Sequence, residues 1–454
     1  MELATAMVAI WIWFFLTLSH LGRGAPVDAT GHGLWSEDDG YDGDGEGAED
    51  GEEMQVEEVE VPSNATPETP LEPEELPEPL ASCIREDGSA PAVHAAFYLW
   101  YGNPETDGRW LHWDHKVLPH WDPKVDAQHE KFDWRPPDEP HSTFFPARGT
   151  YSSADNATLR AQFRELRQAG VDSAMCSWWG RKDWNGKRDD AESGANTDLL
   201  MPLVLEAAAA AEVFVSFHIE PYGNRSAKTF LEDLKYIFRE YGDHPAIYRE
   251  GKDKRPIFWL YDVSAQHSAS EVAEWRAVLD SVRGTALDGV FLCLWIGNGG
   301  GREDLRFVQE GGFDGAYTYF AAEGFTPGSN TKSWADVAGR LRKIGKVFVP
   351  SVGPGYDDTR IRPWNKHNVR QRKDGKSYER MWQAAVNSRP HAISVTSYNE
   401  WGEGTQIEPA KKHRSQKGEF YPSYSPHGNT YYLKLTRDWS KNFKEDQCGQ
   451  KSEL

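Results

Sequence analysis

Between residues 94 and 400 two hydrophobic rhythms alternate along the chain. Short runs dense in Val, Ile, Phe, Tyr and Trp occupy 94–102, 172–180, 212–222, 256–262, 289–297, 315–320, 347–354 and 392–400. They lack strict apolar–polar alternation, the pattern of strands buried on both faces. Between and after them lie stretches with apolar residues at helical spacing: 157–169, 197–211, 227–241, 268–283, 302–310, 333–344, 378–387 and 431–443. Asp155 is placed to cap the first of these and Gly170 to stop it. Eight strand–helix units in about 360 residues predict a (β/α)8 barrel, a single domain with long loops at its carboxyl face. A doubly wound sheet is the alternative, but no Gly-x-Gly-x-x-Gly turn follows the first strand.

A barrel of this kind places its chemistry where the strands end. Those ends are aromatic and polar: Tyr98-Leu99-Trp100-Tyr101, Ser177-Trp178-Trp179, His218-Ile219-Glu220-Pro221-Tyr222, Tyr261-Asp262, Tyr317-Thr318-Tyr319 and Ser397-Tyr398-Asn399-Glu400. Aromatic faces match the C–H faces of sugars, and carboxylates, Asn, His and Arg can fix the hydroxyls. A single ring of this sort is as readily explained by packing against a loop. The last run opens into Asn399-Glu400-Trp401-Gly402-Glu403-Gly404-Thr405-Gln406, with two Glu three residues apart. Glycoside cleavage usually needs two carboxyl groups at one anomeric centre, one of them protonated near neutral pH.

Outside the barrel the composition changes. An apolar stretch over 4–18 is short for a spanning helix, which needs about 20 residues. It reads as a signal-peptide core ending near residue 25, although the usual positive start is missing, so a short signal anchor with possible membrane attachment remains open. Residues 36–80 hold 18 Asp and Glu and no Lys or Arg, so most of the overall charge of −21 belongs to this segment. Residues 26–90 are therefore expected to form a disordered acidic stem, with a calcium-binding or docking role as the alternative. The barrel domain then spans 91–446, and 447–454 is a tail ending Lys-Ser-Glu-Leu, close to the KDEL retrieval signal. An acidic chain with a nearly neutral folded part excludes nucleic acid as a partner. These features place the protein in the lumen of the early secretory pathway, Golgi or endoplasmic reticulum, either soluble or anchored. Sequons at Asn64, Asn156 and Asn224 fit that compartment. Cys176 and Cys293 lie in apolar runs as buried thiols, and Cys83 and Cys448 flank the folded part and are expected to pair. The pattern carries no metal motif and names no cofactor. His112, Asp114 and His115 read as a hydrogen-bonded loop cluster, and Asp357, Asp358, Glu303 and Asp304 specify no calcium site.

From about 94 to 443 the chain resembles glycoside hydrolase family 99, whose members are endo-α-1,2-mannosidases. The resemblance is carried by Phe97-Tyr98-Leu99-Trp100-Tyr101-Gly102, His112-Trp113-Asp114-His115, Pro119-His120-Trp121-Asp122-Pro123 and His218-Ile219-Glu220-Pro221-Tyr222. It continues through Gly315-Ala316-Tyr317-Thr318-Tyr319-Phe320, Pro350-Ser351-Val352-Gly353-Pro354-Gly355-Tyr356, Ile361-Arg362-Pro363-Trp364-Asn365, and Asn399 to Gln406. It implies a (β/α)8 fold and cleavage beside an α-1,2-linked mannose of high-mannose N-glycans, with retention and without a metal. Glu400 would be the base on the mannose 2-hydroxyl, which attacks its own C1 to give a 1,2-anhydro sugar. Glu403 would protonate the leaving oxygen, which requires a neutral Glu403 beside an ionised Glu400. Tyr101, His112, Glu220, Tyr319, Arg362 and Asn399 match cleft positions. Trp179 matches a position that would favour mannose over glucose in the preceding sugar. Gly402 departs from the His of vertebrate members and is expected to loosen the loop. A lectin-like binder and a mannan-preferring enzyme are the competing readings; oligomeric state is left open.

Overall fold

The computed structural model describes residues 83–181, 194–263 and 268–449. The leader, the stem up to residue 82 with Asn64, and the last residues of the tail lie outside them. Eight parallel strands form the core: β1 (Val93–Phe97), β2 (Ser173–Trp178), β3 (Phe214–Ile219), β4 (Arg255–Leu260), β5 (Val290–Leu294), β6 (Gly315–Tyr317), β7 (Val347–Val349, continued by Ser351–Val352) and β8 (Ile393–Val395). Each pairs with the next, β8 returns to β1 through Val93↔Ile393, and the second half of β7 pairs with β8. The two halves of β7 are separated only by Pro350, which has no N–H to give a ladder. The ring is thereby completed as a (β/α)8 barrel.

The helices cover the outside: α1 (Asn156–Gln168), α2 (Thr197–Ala210), α3 (Ala227–Tyr241), α4 (Ala269–Val282), α5 (Asn298–Glu310), α6 (Trp334–Lys343), α7 (Lys376–Asn387) and α8 (Tyr431–Gly449). Asp155 caps α1 by accepting from Ala157 and Thr158 N–H, and Ser226 and Ser268 form reciprocal caps on α3 and α4. Helix α5 starts four residues before the expected position, across a glycine run. Gly300 and Gly301 hold φ of +67° and +77°, so regular helix begins after them. Helix α8 runs past the expected 443. Lys444 there is buried, its ammonium 2.7 Å from Asp172, and a disulfide joins Cys448 to Cys83 with Cα atoms 5.5 Å apart.

The barrel interior is not purely apolar. Ser173 donates to Ser216 at 3.1 Å, Trp259 Nε1 donates to Ser216 at 3.0 Å, and the Ser351 and Ser394 hydroxyls meet at 2.7 Å. Small hydroxyls satisfy one another where the ring is too narrow for larger residues. His94 sits among the rings of Tyr248 and Trp259, and burial pushes its imidazole down to about 4, so it packs as a neutral ring.

Candidate active site

Every strand stops short of the apolar run that predicted it, and the leftover residues turn into the carboxyl-end loops. The β1 loop runs from Tyr98 to Asp155 and the β8 loop from Thr396 to Thr430. The two are stitched together by an antiparallel pair, Phe145–Pro146 against Ala410–Lys411. The β7 loop joins them where Asp357 N–H donates to Glu403 O at 2.8 Å and Thr143 Oγ1 donates to Asp357 O at 2.9 Å.

Glu400 lies on the floor of this assembly and is 3% exposed. Its Oε1 accepts the Gly402 and Glu403 N–H groups at 2.9 and 3.3 Å, and its own N–H donates to Ser397 Oγ at 2.7 Å. Burial first, then the negative charge of Glu403, push its carboxyl well above the usual range; the N–H groups and Arg362 only partly oppose them. Glu403 is the more open of the two, its side chain 15% exposed, and Arg362 stands 3.6 Å from its Oε1. Arg362 is held by Asp358 at 3.2 Å, and Asp358 in turn takes Asn365 at 2.9 Å and the Tyr356 hydroxyl at 2.8 Å. In the free site burial thus favours a proton on Glu400, and the Arg362 guanidinium stands beside Glu403.

Glu220, at the end of β3, lies across from the pair. Its Oε1 accepts Ser177 Oγ and His218 Nδ1, both at 2.8 Å. With Nδ1–H on the carboxylate, His218 Nε2 is the acceptor for the Tyr317 hydroxyl at 2.9 Å. Trp179 Nε1 donates to Ser177 at 3.1 Å, so the indole and the Glu220 carboxylate share one anchor. Tyr319, at φ +58°, shares a short hydroxyl contact with Tyr98. Burial, followed by the charges of Glu220, Glu400 and Glu403, holds the Tyr98 phenol well above its usual range, so all three carboxyls lie within electrostatic reach of one hydroxyl. Trp100 forms part of the wall, stacked on Tyr98 at 4.6 Å and on His112 at 4.1 Å, with Trp179 at 6.4 Å. His112 packs against His115 and His141, and burial followed by the neighbouring histidines pushes its imidazole well below its usual value.

The structure thus gathers Glu400, Glu403, Glu220, Tyr319, Arg362, His112 and Trp179 around one cleft. It places two other expected cleft residues behind the wall. Asn399 is fully buried; its Oδ1 accepts Tyr98 N–H at 2.7 Å and its Nδ2 donates to Tyr98 O at 2.9 Å, so it ties the end of β8 to the end of β1 and has no amide atom left for a sugar. Tyr101, 1% exposed, donates to Asn399 O and accepts Trp401 N–H, both at 3.0 Å. Both hold the Glu400 loop from behind. Gly402 also differs from expectation. A Cβ there would lie 2.8 Å from His141 Nε2 and 3.1 Å from Glu400 Oε1, so the loop is tightly packed and not loosened. In the sequence His218, Ser177 and Tyr98 stand out only as members of the strand-end runs, with no role of their own. The His218–Glu220 spacing of two along a strand puts both on one face and was the available signal. Asn156 and Asn224 are exposed.

Paired carboxyls at the end of the last strand of a parallel barrel, in an aromatic-walled cleft, define a glycoside-cleaving enzyme. The family model for glycosyl hydrolase family 99 matches residues 90–445, and the chain belongs to that family. It is a glycoside hydrolase. The chain is similar to the glycoprotein endo-alpha-1,2-mannosidase of Rattus norvegicus, 40% identical over 366 residues, 78% of this chain and 75% of the relative. It is also similar to the glycoprotein endo-alpha-1,2-mannosidase-like protein of Homo sapiens, 41% identical over 364 residues, 78% and 76% of the two chains. Among solved structures, the GH99 endo-alpha-mannosidase from Bacteroides thetaiotaomicron superposes with a TM-score of 0.68 at 36% identity, covering 78% of this chain and 98% of that one.

Proposed function

We propose that the protein is a retaining endo-α-1,2-mannosidase that cuts inside high-mannose N-glycans. The observation that carries the reading is the Glu400–Glu403 pair, with Arg362 on the outer member and the inner member buried. The names of the similar relatives agree with it. Glu400 is the base: its carboxylate, once ionised, is unusually basic because it is desolvated, and it draws the proton from the 2-hydroxyl of the mannose being cleaved. The freed oxygen attacks C1 of the same sugar and the glycosidic C–O bond breaks. Glu403 gives its proton to the departing oxygen, then removes one from the water that attacks C1, while the C1–O2 bond of the 1,2-anhydro ring breaks and Glu400 returns its proton to O2. The reaction needs one proton on the pair. Substrate covering Glu403 strips its water and draws that proton outward from Glu400. Glu220, Tyr319 and His112 orient hydroxyls, and Trp179 offers a flat face to the preceding sugar, favouring mannose over glucose. The disulfide and the two exposed sequons support an oxidising secretory lumen as the site of action.

The test is incubation of the protein with glucosylated and unglucosylated high-mannose N-glycans, with products identified by mass spectrometry. A released disaccharide or longer oligosaccharide, absent with Glu403→Gln, supports the endo reading. A mannose disaccharide released at an equal or higher rate supports the Trp179 argument. Binding without release overturns the enzyme reading in favour of a lectin. The roles within the pair separate on an α-mannosyl substrate whose leaving group needs no proton, such as fluoride. Glu403→Gln is expected to cleave it and Glu400→Gln to fail; the reverse would exchange acid and base.

A further inference from the structure

The far end of the barrel carries a second cavity, of about 260 Å³, at the amino ends of β7 and β8. Its polar wall is Arg85, Arg342, Lys346, Arg389, His391 and Gln447. Among the described residues none of the four Arg and Lys forms an ion pair. The nearby carboxylates are already committed. Asp314 takes Arg283 at 2.8 Å and Arg255 at 3.5 Å, and Asp288 takes the same two at 3.1 and 3.7 Å. Glu250 stands 3.5 Å from His391 and accepts the Tyr248 hydroxyl at 3.0 Å, and Asp87 is held by Ser89 at 2.6 Å.

Two of the cations are held by hydrogen bonds to neutral groups, with Glu250 and Asp87 also acting on Arg85 through charge. Arg85 donates to Gln447 Oε1 at 3.2 Å and to Ser89 Oγ at 3.4 Å, and Arg342 donates to the Arg389 carbonyl at 2.8 Å. The Cys83–Cys448 disulfide fixes the two segments that carry Arg85 and Gln447. Lys346 is depressed below its usual range by burial, with Arg283 and Arg276 adding to the effect against Asp314. A half-buried ammonium among guanidinium groups gains from an anion in the cavity.

We propose that this cavity is a binding site for a small phosphate monoester. Guanidinium forks and an ammonium match the tetrahedral oxyanion, with several donors on separate oxygens. The volume falls just under the ~300 Å³ at which small-molecule pockets begin, room for an oxyanion and one attached ring but not for a glycan chain. The site lies at the opposite end of the barrel from Glu400 and Glu403, and it does not depend on the reaction proposed there.

Titration calorimetry of the full chain tests it, with inorganic phosphate and mannose 6-phosphate as probes and chloride and acetate at matched ionic strength as controls. One mannose 6-phosphate per chain is expected, displacing inorganic phosphate and binding more tightly. Lys346→Ala should weaken it by about tenfold, the worth of one charge-assisted contact. Arg342→Ala with Arg389→Ala, both on exposed side chains, should do the same without threatening the fold, and mannoside cleavage should be unchanged in both variants. Equal affinity for inorganic phosphate would overturn the ester. Binding insensitive to these substitutions, or matched by chloride, would overturn the site.

Discussion

Glu400 shows what a reactive carboxyl costs the fold. Its native carboxyl holds a proton more tightly than the unfolded chain, whose ordinary value is 4.5, because burial and Glu403 penalise the charge. A raised native pKa contributes stability at low pH that is lost as pH rises through the native value. At neutral pH the ionised form is therefore a net burden. Glu400→Gln, which keeps an oxygen for the Gly402 N–H, is expected to abolish turnover and raise the thermal midpoint at pH 7. The gap should close as pH falls below the ordinary carboxyl range; thermal scans across pH would show it, and an unstabilised variant at pH 7 would contradict the assignment. The same ionisation should govern the acid limb of kcat/KM, as a property of the pair rather than of one residue. Gly402 gives a second prediction at this scale. Gly402→Ala drives a Cβ into His141 and Glu400, and displacement of the base should cost about 10–100-fold in kcat/KM. Adding His141→Ala opens that space and should recover part of the loss, which a purely local effect at 402 would not allow.

The element that carries the pair is held by its surroundings more than by its own structure. The loop after β8 is anchored at Glu408, fully buried, which takes Arg148 Nε at 2.9 Å, Gln162 at 2.9 Å, the Tyr151 hydroxyl at 2.7 Å and Trp401 Nε1 at 2.9 Å. Glu408→Ala leaves these donors without their acceptor and should destabilise by at least about 2 kcal/mol in urea unfolding, with kcat falling alongside. At this scale sequence was informative in a patterned way. The eight strands and eight helices were legible because burial on both faces and helical periodicity each leave a local trace. Glu400, Glu403 and Glu220 were legible because they sit where strands end. Asn399 and Tyr101 were not separable from cleft residues. Their occupation by Tyr98 and Trp401 backbone depends on β1 lying beside β8, a contact between chain positions about 300 apart. Helix α8 ran longer than its apolar pattern because Lys444 and Cys448 are held by distant partners.

At the scale of the molecule the barrel presents two chemically different ends. The carboxyl end carries carboxyls and aromatic rings over a desolvated floor; the amino end carries cations around a cavity, with the disulfide beside it. Cys83–Cys448 joins residues 365 apart, and by loop-closure reasoning its loss should cost about 2–5 kcal/mol, read as a lower urea midpoint for Cys83→Ser. Global stability and local function then separate. The Glu400 loop is held by Asn399, Tyr101 and Glu408, none of which touches the disulfide, so mannoside turnover below the melting range should survive Cys83→Ser. Arg85 and Gln447 depend on the segments the disulfide ties, so mannose 6-phosphate affinity should fall in the same variant. Equal loss at both ends would mean that the disulfide acts through the whole barrel, and unchanged affinity would mean that the hydrogen bond from Arg85 to Gln447 suffices alone.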